Sequence, residues 1–508
     1  MNRLRAIAPR CLFAAAVLAT AVAFAWTEEN WRAARDWAAC QCEAAAHGER
    51  LDLSATYDPL PPARNLAWSP LFTRWFAYTV DAAGGLVTFP PGTRCRLPPL
   101  EYMPTAPEDR TPGGSSLLSV YHGERVDLPA WQASYRQRAA YFGLPPVAEG
   151  AALPAPAEDV LRALETFAPV LNDAERCAET MPAGVFALAP ASFSGGSSLA
   201  VRRVTQTLAL RADARLALGQ NAGARHDLES ILWLRQATTS QPRSFLNAAL
   251  GCNHLELALQ VVWQGLADHR WTADDLAAIQ RRLADLAPLA DYRRAASGQR
   301  AEYLFFADGL LAGKYSFADL FDPGDGWKGR VSAWALLHGP SGWLVQNRVS
   351  MTRFFQDHLL TCVDVPAHRF YPEHLSASLA ALERTLAPPI WPWRYLMAVG
   401  MPGFLRVAER CALVQTALDE AVVACALERH ALAHGGVYPA NLAALVPANL
   451  DRVPTGVVDG LPLRYTPTPD GRCRLAAPLP LRETGKPKGS MVQGDDLVWS
   501  YPPQGQQR

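Results

Sequence analysis

The stretch "ERHALAHGGVYPANLAALVP", Glu428 to Pro447, sets two histidines four residues apart. On a helix such a pair shares one face, so His430 and His434 would offer two imidazoles to one zinc ion. A catalytic zinc helix also carries a glutamate directly after its first histidine to activate water, and Ala431 stands there instead. Gly435 and Gly436 follow at once, a helix-stop signal, and histidine in a last turn complements the helix dipole. The stretch therefore reads either as half of a zinc site or as the end of a structural helix. A second candidate lies further on, where Asp495 and Asp496, with Asp459 and Asp470, would supply oxygens for calcium. Their spacing fits no EF-hand, and aspartates also serve turns without any metal.

Other motifs are incomplete. "GDGWKG", Gly324 to Gly329, satisfies GxGxxG literally but follows "LFDP" rather than a strand, and Trp327 sits inside the loop. A turn before the next helix is expected there. "TPGGSS" and "SFSGGSS" are glycine-serine connections, neither a GxSxG elbow nor a phosphate loop. His226-Asp227, His254 with Glu256, and His358 are acid-base candidates whose pairing depends on the fold. No complete catalytic constellation emerges, which favours a non-catalytic protein.

The elements that would position these residues fall into four segments. In residues 1–50, Arg3, Arg5 and Arg10 precede the apolar run Cys11 to Trp26, and Glu28 and Glu29 follow. The positive flank should stay cytoplasmic and send the rest across. Ile7 to Trp26 is about the 20 residues that cross a bilayer, with Trp26 at the outer interface. Ala23-Phe24-Ala25 also fits a signal-peptide cleavage site, which would release the body as a secreted protein. The chain runs on without Gly or Pro to Ala46, so one long helix rising from the membrane is expected.

Residues 51–155 are rich in proline and read as an irregular, partly β collar holding one helix, "LPAWQASYRQRAAYF". Residues 156–400 carry helical periodicity. Within them "SLAVRRVTQTLALRADARLAL-GQNAG-ARHDLESILWLRQA" reads as two helices joined by a Gly/Asn turn. It resembles one tetratricopeptide-type hairpin, without a second copy at a fixed period. Thr272 and Asp275 stand at capping-box spacing. Further helices are expected around 290–313, 340–364, 371–386 and 391–434. Residues 401–508 combine a long helix with short β pieces, including Leu463 with Tyr465, Cys473 with Leu475, and "GDDLVWSYPP". The expected fold is mainly α: a multi-helix bundle with an N-terminal membrane helix and a small C-terminal α+β region.

Bulk composition closes other options. Across 508 residues, 48 Lys plus Arg balance 48 Asp plus Glu, which removes any overall electrostatic case for nucleic acid. The ten cysteines form no CxxC, so neither a zinc ribbon nor a thioredoxin-like motif is indicated, and most should be small buried residues.

The C-terminal third resembles the globular half of type II secretion major pseudopilins. The resemblance rests on "RCALVQTALDEAVVACALERHALAHGG", then "YP", "LAALVP" and "VVDGLPLRY". It implies a spine helix under a small sheet whose terminal loop can bind calcium. It departs at the N-terminus, where the apolar run lacks the glutamate of a pseudopilin helix. The whole chain also resembles a group of uncharacterised, membrane-anchored bacterial envelope proteins, through "ENWRAARDW", "GERLDL", "PLPPARNLAWSPLF", "VDLPAWQASY", "PAEDVLRALE" and the C-terminal pieces above. That resemblance implies an uncleaved inner-membrane anchor, a periplasmic body and envelope protein partners. It brings no activity with it. The alternatives are a periplasmic metal-dependent hydrolase and a secretion-system accessory that docks to pseudopilins.

Overall fold

Helix α1, Asn2–Ala46, runs unbroken from the apolar segment into the body of the protein. It is the first element of a computed structural model that describes residues 2–52, 61, 63–69, 79–80, 87–88, 120–148, 150–185, 195–239, 244–315, 326–386, 391–400, 406–468, 472–480 and 490–501. Most of the expected collar, the PDG turn with Asp470, and Gly324-Asp325 of the GxGxxG match lie outside these residues.

The described elements are mainly helical. After α1 come α2 (Leu128–Arg136), α3 (Pro156–Leu164), α4 (Ala168–Thr180), α5 (Gly195–Ala217), α6 (Asn221–Thr239), α7 (Phe245–Ala267), α8 (Ala273–Ala284) and α9 (Pro288–Leu311). They are followed by α10 (Gly326–His338), α11 (Ser341–Phe354), α12 (Pro372–Leu386), α13 (Tyr395–Gly400) and α14 (Val407–Ala433). Short strand pairs are β1 (Thr79–Val80) with β2 (Val87–Thr88) and β3 (Val363–Asp364) with β4 (Arg369–Phe370). Strands β5 (Arg464–Pro467), β6 (Cys473–Pro478), β7 (Val492–Gln493) and β8 (Asp496–Trp499) form an antiparallel sheet in the order β5-β6-β8-β7.

The chain divides into two units. The first takes residues 1–58, 296–362 and 373–406. In it, the distal half of α1 packs along α11 through a narrow stripe of small residues, Ala33, Cys40 and Ala44, all fully buried. Their spacing of seven and four keeps them on one helix face. Gly342 lets the two helices touch, because a Cβ there would stand 2.6 Å from the Glu29 carbonyl oxygen. The Gly342 amide donates to Asn30 Oδ1 at 2.7 Å, Gln346 donates to Asp36 at 2.9 Å, and the Arg348 guanidinium lies 3.9 Å above the Trp37 ring.

The second unit takes residues 59–295, 363–372 and 407–508. Helices α5 and α6 form the expected hairpin, closed by Gly219 at φ +72°. Its geometry is a Schellman turn, with Gln220 N donating to Arg215 O at 2.8 Å and Gly219 N to Leu216 O at 3.1 Å. The capping box is formed as read: Asp275 N donates to Thr272 Oγ1 and Thr272 N donates to Asp275 Oδ2. Helix α14 packs against α7 and α8 on one side and against β6 and β8 of the sheet on the other. It is buried along nearly its whole length, so it is a spine and not the wall of a cleft.

Two expected helices end early. The segment 340–364 leaves α-helix at Phe354 through a π turn, Phe355–Leu359, before entering the β3-β4 hairpin. The segment 391–434 starts as a 3₁₀ turn, Pro392–Arg394, continues as α13, and resumes as α14 only at Val407. Arg406, the described residue before α14, is a turn.

Candidate functional site

His430 and His434 lie in the last turn of α14 with their rings stacked, centroids 3.9 Å apart. His434 Nδ1 donates to the His430 carbonyl at 2.8 Å, so this nitrogen is engaged within the helix. Gly435 at φ +65° ends the helix, and Gly436 N donates back to Ala431 O at 2.7 Å. A tetrahedral zinc needs further ligands. Among the described residues, no group of three His, Cys, Asp or Glu is placed to hold a metal.

The C-terminal aspartates are dispersed in their bonding. Asp496 forms an ion pair with Arg464 across the sheet, the Asp495 carbonyl accepts from Leu479 N at 2.8 Å, and Asp459 Oδ1 accepts from Leu461 N at 3.0 Å. The acid-base candidates separate in the same way. Asp227 is gripped by Arg211 and Arg215, while His226 faces Glu175 at 3.8 Å. Glu256 accepts from Tyr121 and Arg410, whereas neighbouring His254 is fully buried and, among the described residues, neither of its ring nitrogens is bonded. Burial and the charges of Arg235 and Arg202 hold His254 neutral, down at about 3. His358 sits on the π turn, where its carbonyl accepts from Cys362 Sγ at 3.0 Å.

The polar chemistry of the second unit instead gathers on acids of α14. Asp419, Glu420 and Glu428 are all buried on this largely apolar spine. His368 Nε2 bonds Asp419 Oδ2 at 2.8 Å, and Gln415 donates to Asp419 Oδ1 at 3.0 Å. His269 Nδ1 bonds Glu428 Oε1 at 2.5 Å, and Tyr438 donates to Glu428 Oε2 at 2.5 Å. Both histidines have left-handed backbone, His269 at φ 50° and His368 at φ 55°. Such φ values are strained for residues with a side chain.

The local reasons are visible. His269 holds the post-helix position of the Schellman turn that ends α7, where Arg270 N donates to Gly265 O at 2.8 Å and glycine is usual. His368 closes the four-residue β3-β4 loop, where its amide donates to Val365 O and Ala367 N donates to Asp364 Oδ1. Each imidazole thus fixes a turn onto the spine. The hydrogen bond with Asp419 raises His368 above the ordinary histidine value. Burial raises Glu428, but the bonds from His269 and Tyr438 outweigh it and leave the carboxyl below its usual range.

Glu420 is the exception. Among the described residues neither of its oxygens has a partner, and burial, with the nearby charges of Asp419 and Asp496, pushes it well above the carboxyl range. Asp213 on α5 is held the same way, by burial first and then by Asp268.

Sequence reading missed these pairs because their members lie 51 and 159 residues apart. The available signal was three acids inside the apolar run of α14, which demand partners. The geometry of His368 and Asp419 matches an oriented imidazole, and among the described residues no hydroxyl or thiol bonds its other nitrogen. What it does chemically is clasp a hairpin to a helix through a proton.

No protein-family model, curated protein or solved structure matches this chain.

Proposed function

We propose that the protein is a single-pass component of a bacterial inner membrane whose helical body stands in the periplasm and binds other envelope proteins, without catalysis. The observation that carries this reading is α1. Its apolar window has a mean hydropathy of 1.4 and is 0% buried, leaving Leu12, Phe13, Leu18 and Phe24 bare. The same helix then buries Ala33, Cys40 and Ala44 inside the first unit. A bare apolar half joined without a break to a packed half suits a helix with lipid around one end and protein around the other. Ala23-Phe24-Ala25 lies within this continuous helix. That continuity supports an anchor over a cleaved leader, and the arginines before the span support a cytoplasmic N-terminus.

A narrower reading makes the partner a secretion pseudopilin. The spine α14 under a four-stranded antiparallel sheet supports it.

Three measurements on the full chain test the proposal. Resistance to carbonate extraction with an intact N-terminal peptide supports the anchor, and a chain beginning after Ala25 rejects it. A C-terminal alkaline phosphatase fusion is expected to be active, as only an extracytoplasmic fusion would be; an inactive fusion rejects the orientation. Failure to co-purify with pseudopilins on the membrane rejects the narrower partner.

A further inference from the structure

Among the described residues of the first unit outside α1, three large apolar side chains are more than half exposed. Val331 and Trp334 on α10 are 56% and 58% exposed, and Trp391 is 51% exposed. They lie hundreds of residues from the apolar segment of α1 in sequence. In space they belong to elements fastened beside it.

The fastening point is the start of α11. Ser341 and Gly342 both donate to Asn30 Oδ1, and Gly342 rests on the Glu29 backbone. Asn30 is four residues beyond Trp26, a rise of about 6 Å along α1. Trp343, in the first turn of α11, leads to Trp393 with centroids 6.0 Å apart, and Trp391 stacks on Trp393 at 5.0 Å and 11°. On the other side, α10 ends at His338, three residues before Ser341, and Trp334 stacks on His338 at 4.9 Å. The start of α11 and the end of α10 therefore lie near the level at which α1 leaves its apolar segment, and Trp393 and Trp391 continue ring to ring from Trp343.

We propose that Val331, Trp334 and Trp391, together with Trp26, form an interfacial belt that seats the first unit on the bilayer crossed by α1. Indole suits this layer because its ring is apolar and its N–H can reach water or a headgroup. Exposed Arg394 follows Trp393 and offers a charge to headgroup phosphates. The occupant is the lipid interface because the patch continues from the segment already assigned to lipid. The belt rests on the reading of α1 as an anchor, and it seats the first unit against the membrane.

The test uses full-length protein in phosphatidylcholine–phosphatidylglycerol vesicles that contain a lipid with a photoactivatable diazirine near the headgroup. Illumination and peptide mass mapping locate the adducts. Adducts on peptides holding Trp26, Trp334 and Trp391, without adducts at exposed His47 beyond the far end of α1, are the expected result. Adducts on α1 alone overturn the belt and leave the anchor standing; that pattern is expected if a second copy or another protein covers the patch. No adducts on any of the four overturn both.

Discussion

His368 Nε2 stands 2.8 Å from Asp419 Oδ2, and this contact fastens the β3-β4 hairpin to the spine α14. The hairpin also joins the C-terminal segment, where Phe370 N donates to Val457 O at 2.8 Å and Arg369 donates to Val458 O at 2.5 Å. A turn of strained backbone is kept in place because its side chain supplies a proton to a buried carboxylate.

Stability should follow the protonation of that imidazole. His368 is raised above its unfolded value of about 6.5, so the folded chain holds a proton that the unfolded chain releases. The stabilisation is complete below about pH 6.5 and is lost as pH rises through the folded value. His368→Gln should cost about 2 kcal/mol at pH 6 and less at pH 8.5, read from thermal midpoints. An equal loss at both pH values would reject a protonated clasp.

Glu420 predicts the opposite response to substitution. Its folded value is raised, so between about pH 4.5 and that value the folded chain keeps a proton that the unfolded chain gives up. Stability therefore falls with rising pH across this window, and Glu420→Gln should remove the decline. The variant should be more stable than the parent at pH 8 by about 1–3 kcal/mol. A less stable variant at pH 8 would mean that the acid is ionised and held by a cation.

Gly265 marks a close approach that only glycine permits. A Cβ there would lie 2.0 Å from Trp271 Nε1, and that indole donates to Val262 O at 3.2 Å. Gly265→Ala must displace the ring and break its hydrogen bond, at a cost of about 2–3 kcal/mol. Denaturant melts with Gly219→Ala alongside would separate this crowding from backbone strain, since a Cβ at Gly219 would meet only Arg270 Nη1 at an ordinary 3.8 Å while φ is +72°.

The stacked pair at the end of α14 should behave as a helix terminus. His430→Ala with His434→Ala should change stability by no more than about 0.5 kcal/mol, with or without EDTA. A parent midpoint that falls on chelation, and a double variant that no longer responds, would establish a metal at these histidines.

Local pattern was enough to read the helical body, the α5-α6 hairpin, the Thr272 capping box, the Gly435 stop and the terminal β region. Each depends on residues within a turn or two of one another: an apolar stripe, a cap, a glycine free to turn left-handed. The long apolar segment at the N-terminus was legible for the same reason. The breaks within 340–364 and 391–434 were harder, because a π turn and a two-residue strand leave almost no periodic trace.

Partners were decided only by the tertiary structure. Glu428 stood in the first stretch considered as a bystander to two histidines; folding gives it to His269, 159 residues away, and to Tyr438. Asp419 takes His368, Glu420 has no partner among the described residues, and Gly342 brings α11 against α1. The sequence shows that buried acids and glycines need something beside them, because desolvated charge and close backbone approach are costly unless matched. Which residue meets that need depends on how distant helices pack, and no spacing along the chain records it.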